Sequence, residues 1–384
     1  MKKFISFKTY ISIILFLLSI FILFISKDNG IIDTIKWLTI VFLLSIVGKN
    51  IHPFKQLSFI DGGFSIFFSI GIGCSFLLQW FFNAINVIPF NTITSIIITT
   101  LFFLLVFFIN HKNNKKLFKN SKDIENFLFG FALFTFFFTI AFWIKGFNAN
   151  VYSTEKMMDY GFMTSMFRQE HFPPQDFWFS NTYLNYYYFG QAISTFVCKL
   201  AFTTPEYGYN LMLCTLFTTL LLNSFTLIES VSSHFVNAKS KFTIFGGIVG
   251  TTMTTLAGNG HWIIYGMIIP FIEKIKSISL QDPYWFPNST RFIGYNPDVA
   301  DKTIHEFPSY SFVLGDLHAH VCDTMFVLPL ITLLFQAYRA AQDDNPNKQI
   351  FKNRRFASHC NGAPAAIAAA QYGVLKANLL FLVE

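Results

Sequence analysis

TITSIIITTLFFLLVFFI, residues 92–109, decides the fold class. These 18 residues carry no charged side chain, and at 1.5 Å per residue they reach about 27 Å, close to a bilayer's hydrocarbon thickness. A backbone in lipid must satisfy its own hydrogen bonds, so a spanning segment is either a helix or a strand of a closed barrel. The apolar residues come in unbroken runs without strand-like alternation, which excludes the barrel. The segment reads as a transmembrane helix, and the fold class as all-α.

The same texture extends to both sides. Over 384 residues, 53% are hydrophobic, 19% aromatic and only 13% charged, too apolar for a soluble domain of this length. Tyr10 to Ile25, Ile31 to Val47 and Phe64 to Phe82 precede the opening segment as spans. Phe127 to Ile144, Tyr207 to Val231, Phe242 to Leu256 and Val321 to Tyr338 follow it, which makes about eight spans of a polytopic integral membrane protein in contact with the lipid bilayer. MKKFISFK at the start lacks a following small-residue cleavage site and reads as an uncleaved signal anchor.

The formal net charge is +7, but the lysines cluster beside apolar runs, so the charge describes topology and no nucleic-acid partner is expected. Lys2, Lys3 and Lys8 put the N-terminus inside, and after four crossings HKNNKKLFKNSK, residues 111–122, is inside again. The apolar run 186–202 is short and contains Gln191 and Lys199. If it does not cross but lies in the interface or re-enters, SSHFVNAKSK (232–241) and the basic residues Arg339, Lys348, Lys352, Arg354 and Arg355 all fall inside. Residues 145–185 and 259–317 then form two loops on the outer face. The expected organisation is a four-helix module at 1–122, a core at 123–340 holding both loops, and a basic tail at 341–384 with an alanine-rich end. Cys74, Cys198, Cys214, Cys322 and Cys360 form no CxxC pair, and they suggest neither a disulfide framework nor a zinc site.

Chemistry gathers in the loops. In EKMMDYGFMTSMFRQE, residues 155–170, helical phase puts Met158, Phe162, Met163, Met166 and Phe167 on one apolar face with Asp159 near its middle, flanked by Glu155 and Glu170. A buried carboxylate needs a partner, a metal or a proton to move; the simpler alternative is a helix cap or a structural ion pair. HFPPQDFW, 171–178, follows, where Pro173 and Pro174 favour an extended segment carrying His171 and Asp176, either toward a site or as a rigid corner. Tyr186, Tyr187 and Tyr188 suit an interfacial aromatic belt or a stacking platform for a sugar.

HEFPSYSFVLGDLHAH, 305–320, holds Asp316, His318 and His320 at DxHxH spacing. Extended, the three side chains point one way and suit a divalent cation such as Mg or Mn; in a helix His318 turns away, and the residues are hydrogen-bonded groups at a helix entry. Glu306 and Arg291 are further loop charges, the latter suited to a phosphate. The sequon at Asn288 is uninformative, and no Walker loop, dinucleotide fingerprint or nucleophile elbow is present.

MDYGFMTSMFRQEHFPPQDFWFSNTYLNYYYFG resembles the first signature of the YYY family of bacterial and archaeal membrane proteins. RFIGYNP followed by HEFPSYSFVLGDLHAH resembles the second. The layout of that family is similar to the GT-C glycosyltransferases, which use polyprenyl-phosphate-linked sugars at the outer face of the membrane. By that resemblance Asp159 matches a catalytic acid of the first outer loop and His171 the segment after it. Glu155, Asp176, the tyrosine triplet, Arg291 and Glu306 would contact substrate, with Asp316, His318 and His320 as the metal set. The resemblance also implies a cytoplasmic-membrane location and further spans after the second signature, so this chain is expected to be incomplete at its C-terminal end. The alternatives are a carrier or envelope-assembly subunit that binds a polymer or partner through these loops, and a transporter, for which the spans lack midplane charges.

Overall fold

The computed structural model describes residues 6–26, 30–51, 60–152, 155–235, 241–277, 284–292, 294, 298–302 and 304–342. The alanine-rich end and the basic residues from Lys348 to Arg355 lie outside them. The helices are α1 (Phe7–Ser26), α2 (Ile31–Ile51), α3 (Phe64–Ala84), α4 (Thr92–Lys112), α5 (Ser121–Gly146), α6 (Lys156–Arg168), α7 (Phe189–Ala201), α8 (Pro205–Phe235) and α9 (Lys241–Thr255). After these come α10 (His261–Ile263), a π turn (Ile264–Ile268), α11 (Ile269–Lys276) and α12 (Phe286–Thr290). A two-residue pair follows, β1 (Arg291–Phe292) and β2 (His305–Glu306), then α13 (Pro308–Leu314) and α14 (Ala319–Gln342).

Among the described residues seven helices, α1 to α5, α8 and α14, are long and apolar enough to cross a membrane. The expected span at Phe242 to Leu256 is α9, whose 15 residues reach only about 22 Å and fall short of the hydrocarbon thickness by themselves. Lipid-facing surface is plain on α4, where Ile93, Ile97, Leu101, Leu105 and Phe108 are all exposed. Such a stripe is stable only against apolar solvent.

The chain forms two compact units, one of residues 1–226 with 315–329 and one of residues 227–314 with 330–384. In the first, α2 and α3 pack so closely that a Cβ on Gly48 would stand 1.8 Å from the Phe67 carbonyl oxygen, and one on Gly71 1.9 Å from that of Leu44. Backbone approach through small residues is how helices associate where the hydrophobic effect gives no drive between them. Phe16, Phe42 and Phe64 meet Phe127 and Phe131 of α5. The helices on either side of residue 122 therefore share one unit, because phenylalanine packing continues across that boundary.

α7 is a 13-residue helix in which every residue from Gln191 to Ala201 is buried. An interfacial helix would keep one face polar and wet, so α7 is an element enclosed by protein. It sits against α6, with Thr195 donating to the Met163 carbonyl at 3.4 Å. Lys199 donates to the carbonyls of Phe90, Phe167 and Gln169 at 2.6, 3.2 and 3.4 Å, which caps the C-terminal end of α6 with a cation. Asn83 at the end of α3 fixes the next turn, donating to the Glu170 carbonyl at 2.7 Å and accepting from the Phe172 amide at 2.7 Å. The position of α6 is thus set at its far end by α3 and α7.

The helix ends define two levels. Lys8 bonds Asn126 and Lys49 pairs with Asp123, placing these residues where α5 begins. The other end of α5 leads to Ala149, whose carbonyl accepts from Asn210 at the start of α8. At that same level Tyr209 donates to the Gly315 carbonyl and accepts from the Leu317 amide, both at 3.2 Å.

Candidate functional site

The site is built where α6 begins and α14 is about to begin. Helical phase turns Lys156, Asp159, Phe162, Met163 and Met166 inward on α6. Lys156 is the residue that the apolar-face reading did not include, although its spacing from Asp159 and Met163 gives it the same direction. Asp159 is fully buried. Its Oδ1 accepts from Gln191 Nε2 of α7 at 2.8 Å, and the same nitrogen donates to the Leu317 carbonyl at 3.0 Å. One amide group therefore ties α6, α7 and the Gly315–His318 turn together.

Asp316 is also buried, and its Oδ2 meets His318 Nδ1 at 2.7 Å. The other ring nitrogen of His318 faces Glu155 Oε2 at 2.5 Å. Two oxygens remain: among the described residues, Asp159 Oδ2 and Asp316 Oδ1 are buried and have no hydrogen-bond partner. Donor atoms of Asp159, Asp316 and His318 all lie within 4.8 Å of one another. Two carboxylates this close in a dry setting cannot both stay ionised unless a proton or a cation lies between them. Burial, then the Asp316 carboxylate, push the Asp159 carboxyl up to about 8. The hydrogen bond with Asp316 raises His318 to about 9 against the opposing effect of burial.

Hard oxygens beside an imidazole suit Mg or Mn, and the orphaned Oδ2 and Oδ1 are the acceptors such an ion would fill. To ligate, His318 would give up one of its two carboxylate partners. The expected DxHxH set changes in one member. α14 begins at Ala319, so His320 is already helical; its ring stacks on that of His318 at 5.4 Å and stays outside the converging group. Asp159 takes its place.

A family model for uncharacterized membrane proteins, DUF2298, matches residues 74–377 and covers every residue of this cluster. The chain belongs to the DUF2298 family. No curated protein and no solved structure matches it.

The remaining sequence candidates of this DUF2298 chain divide by position. The tyrosine triplet splits. The rings of Tyr186 and Tyr187 meet at a tilt of 38° with centroids 4.1 Å apart, with Tyr187 Oη 3.5 Å from Glu155 and its ring beside His318. Tyr188 turns the other way and stacks on Phe172. Glu155, Tyr186 and Tyr187 thus edge the cluster on its exposed side.

His171 is exposed and no contact joins it to Asp159 among the described residues, because Asn83 draws the segment after α6 toward α3. Asp176 closes a turn, with Oδ1 accepting from the amides of Trp178 and Phe179 at 2.7 and 3.2 Å; it is a local cap of the kind aspartate favours. Arg291 and Glu306 belong to the second unit and are paired across β1 and β2. The Arg291 guanidinium donates to Tyr310 Oη at 3.1 Å and lies over the rings of Trp285 and Tyr310. Gln191 and Lys156 are the site members that motif reading missed.

Proposed function

We propose that this DUF2298 protein is an integral membrane glycosyltransferase of GT-C type that takes its sugar from a polyprenyl phosphate. One observation supports the reading above the others: a fully buried acid, Asp159, has one oxygen fixed by Gln191 and the other unpartnered toward Asp316. Raised to about 8, the Asp159 carboxylate is a stronger base than an ordinary one, and it takes a proton in its ionised form, about a tenth of the molecules at pH 7. In this scheme Asp159 receives the acceptor hydroxyl's proton as the acceptor oxygen bonds to the anomeric carbon. The bond from that carbon to the phosphate oxygen breaks, and the lipid phosphate leaves as the anion.

Glu155 and Asp316 hold His318 from both sides, which fixes its ring at the edge of the reacting centre. In the alternative arrangement Asp159, Asp316 and His318 would hold Mg or Mn, whose charge would stabilise the phosphate leaving group, and Asp159 would then be a ligand and not the base. Tyr186 and Tyr187 offer flat apolar faces to a sugar ring. Lys8 and Lys49 lie at the end of the bundle opposite this cluster, which by the positive-inside rule supports an N-terminus in the cytoplasm and a site at the outer face of the cytoplasmic membrane.

The test is transfer from a polyprenyl-phosphate sugar by the chain in native membranes, wild type against Asp159→Asn. A loss of about 100-fold or more is expected on removal of a general base. Transfer by the variant at the wild-type rate would end the assignment. Saturable sugar-lipid binding without turnover would replace it with a carrier role.

A further inference from the structure

Two ammonium groups at the same cluster have no part in the scheme above. Lys156 is only 1% exposed, and its Nζ makes no hydrogen bond among the described residues. Lys145, the penultimate residue of α5, is half-buried and donates to the Asn148 carbonyl at 2.7 Å, which leaves further donor capacity on its ammonium. Both chains converge on Gly315. A Cβ built there would lie 2.3 Å from Lys145 Nζ and 3.6 Å from Lys156 Nζ. Gly315 has φ of 74°, so the absence of a side chain serves both the left-handed turn and the space the two lysines occupy.

Burying an ammonium without a partner costs several kcal/mol, and a second ammonium beside it adds repulsion. The Asp316 carboxylate, which acts on Lys156 electrostatically, does not resolve this. Asp316 gives Oδ2 to His318, and its Oδ1 has no hydrogen-bond partner, so Lys156 is not ion-paired by contact with it. Burial lowers the Lys156 ammonium from its ordinary value, and the Asp316 carboxylate opposes that shift. Lys156 also opens the 13-residue helix α6, whose positive end adds to the field at this place.

We propose that Lys145 and Lys156, converging over Gly315, are the seat of a phosphomonoester, held beside the carboxylate and histidine cluster. A tetrahedral dianion supplies the oxygens that two point-charge donors require and removes their mutual repulsion. The assignment to a lipid-borne phosphate rests on the glycosyl-transfer reading; the anion chemistry does not. A free phosphate and a polyprenyl monophosphate present the same group, and the two sources separate by experiment.

The full chain in phosphatidylcholine nanodiscs is titrated with farnesyl phosphate, with inorganic phosphate and with farnesol. Farnesyl phosphate is expected to bind, with at least a tenfold loss of affinity in Lys156→Met and a severalfold loss in Lys145→Met. Farnesol binding should not change in either variant. Equal losses for inorganic phosphate support a seat for free phosphate, and binding of farnesyl phosphate alone supports a lipid headgroup.

Should Lys156→Met misfold, acetylation of the wild-type protein followed by mass spectrometry gives the second reading, with farnesyl phosphate expected to protect the half-buried Lys145. Wild-type affinity in both variants, absence of protection, or binding of farnesol as tight as that of farnesyl phosphate overturns the proposal. Phosphate binding without sugar transfer supports this seat and refutes the transferase. Transfer that persists in both lysine variants with farnesyl phosphate and inorganic phosphate affinities unchanged refutes the seat alone.

Discussion

Gln191→Leu tests the site's construction most directly. The substitution keeps side-chain size and puts an apolar group in a fully buried position, so its effect comes from loss of the amide. Two acceptors lose their donor: Asp159 Oδ1, at 2.8 Å, and the Leu317 carbonyl, at 3.0 Å. A buried acceptor left unsatisfied costs about 1–3 kcal/mol, which gives about 2–6 kcal/mol for the pair. Gln191 Oε1 is itself buried without a partner, and its removal returns about 1–2 kcal/mol. The expected net loss is about 0–5 kcal/mol with a midpoint near 2.5 kcal/mol, which is about 60-fold in the folding equilibrium.

A second consequence has a sign of its own. The Gln191 bond lowers the Asp159 carboxyl against burial and Asp316, so its loss must move that carboxyl further up. Denaturant unfolding in detergent reads the first effect. The carboxylic C=O infrared band against pH, assigned by its loss in Asp159→Asn, reads the second. Unchanged stability together with an unchanged or lower Asp159 titration would refute the linkage of α6, α7 and the Gly315 turn through one side chain.

Without a cation, stability should fall as pH rises. Asp159 at about 8 and His318 at about 9 lie above their ordinary values of 3.8 and 6.5, so the folded state holds more protons than the unfolded one in both windows. Stability present below those ordinary values is lost through about 8 and 9. Unfolding midpoints in chelator should therefore drop between pH 6 and pH 8.5, and saturating Mn should flatten the slope by replacing the proton; a rising slope would contradict the cluster. Gly315→Ala should cost about 2 kcal/mol from its left-handed backbone and displace Lys145, read by unfolding and by faster acetylation of that lysine. Lys199→Met leaves three carbonyls without their cation and should cost about 3–5 kcal/mol, measured by unfolding, while Lys199→Arg recovers part of the loss.

Burial phase and span length are local properties, and the sequence by itself determined them. Apolar runs without alternation required helices, and the spacing of Phe162, Met163 and Met166 already turned Asp159 toward the interior. The same periodicity included Lys156, but reading lysines as markers of topology concealed it. Gln191 and Lys199 stood out as polar residues in an apolar run, yet their partners on α6 and beside Leu317 are far away in sequence. The DxHxH spacing was legible; its geometry depended on where α14 begins, which decides that His320 stacks on His318 while Asp159 joins Asp316. Only tertiary structure separated Asp159 from His171, since Asn83 pulls the segment after α6 toward α3. Helical phase aims a side chain, and the packing of α5, α6, α7 and the Gly315 turn determines what it meets.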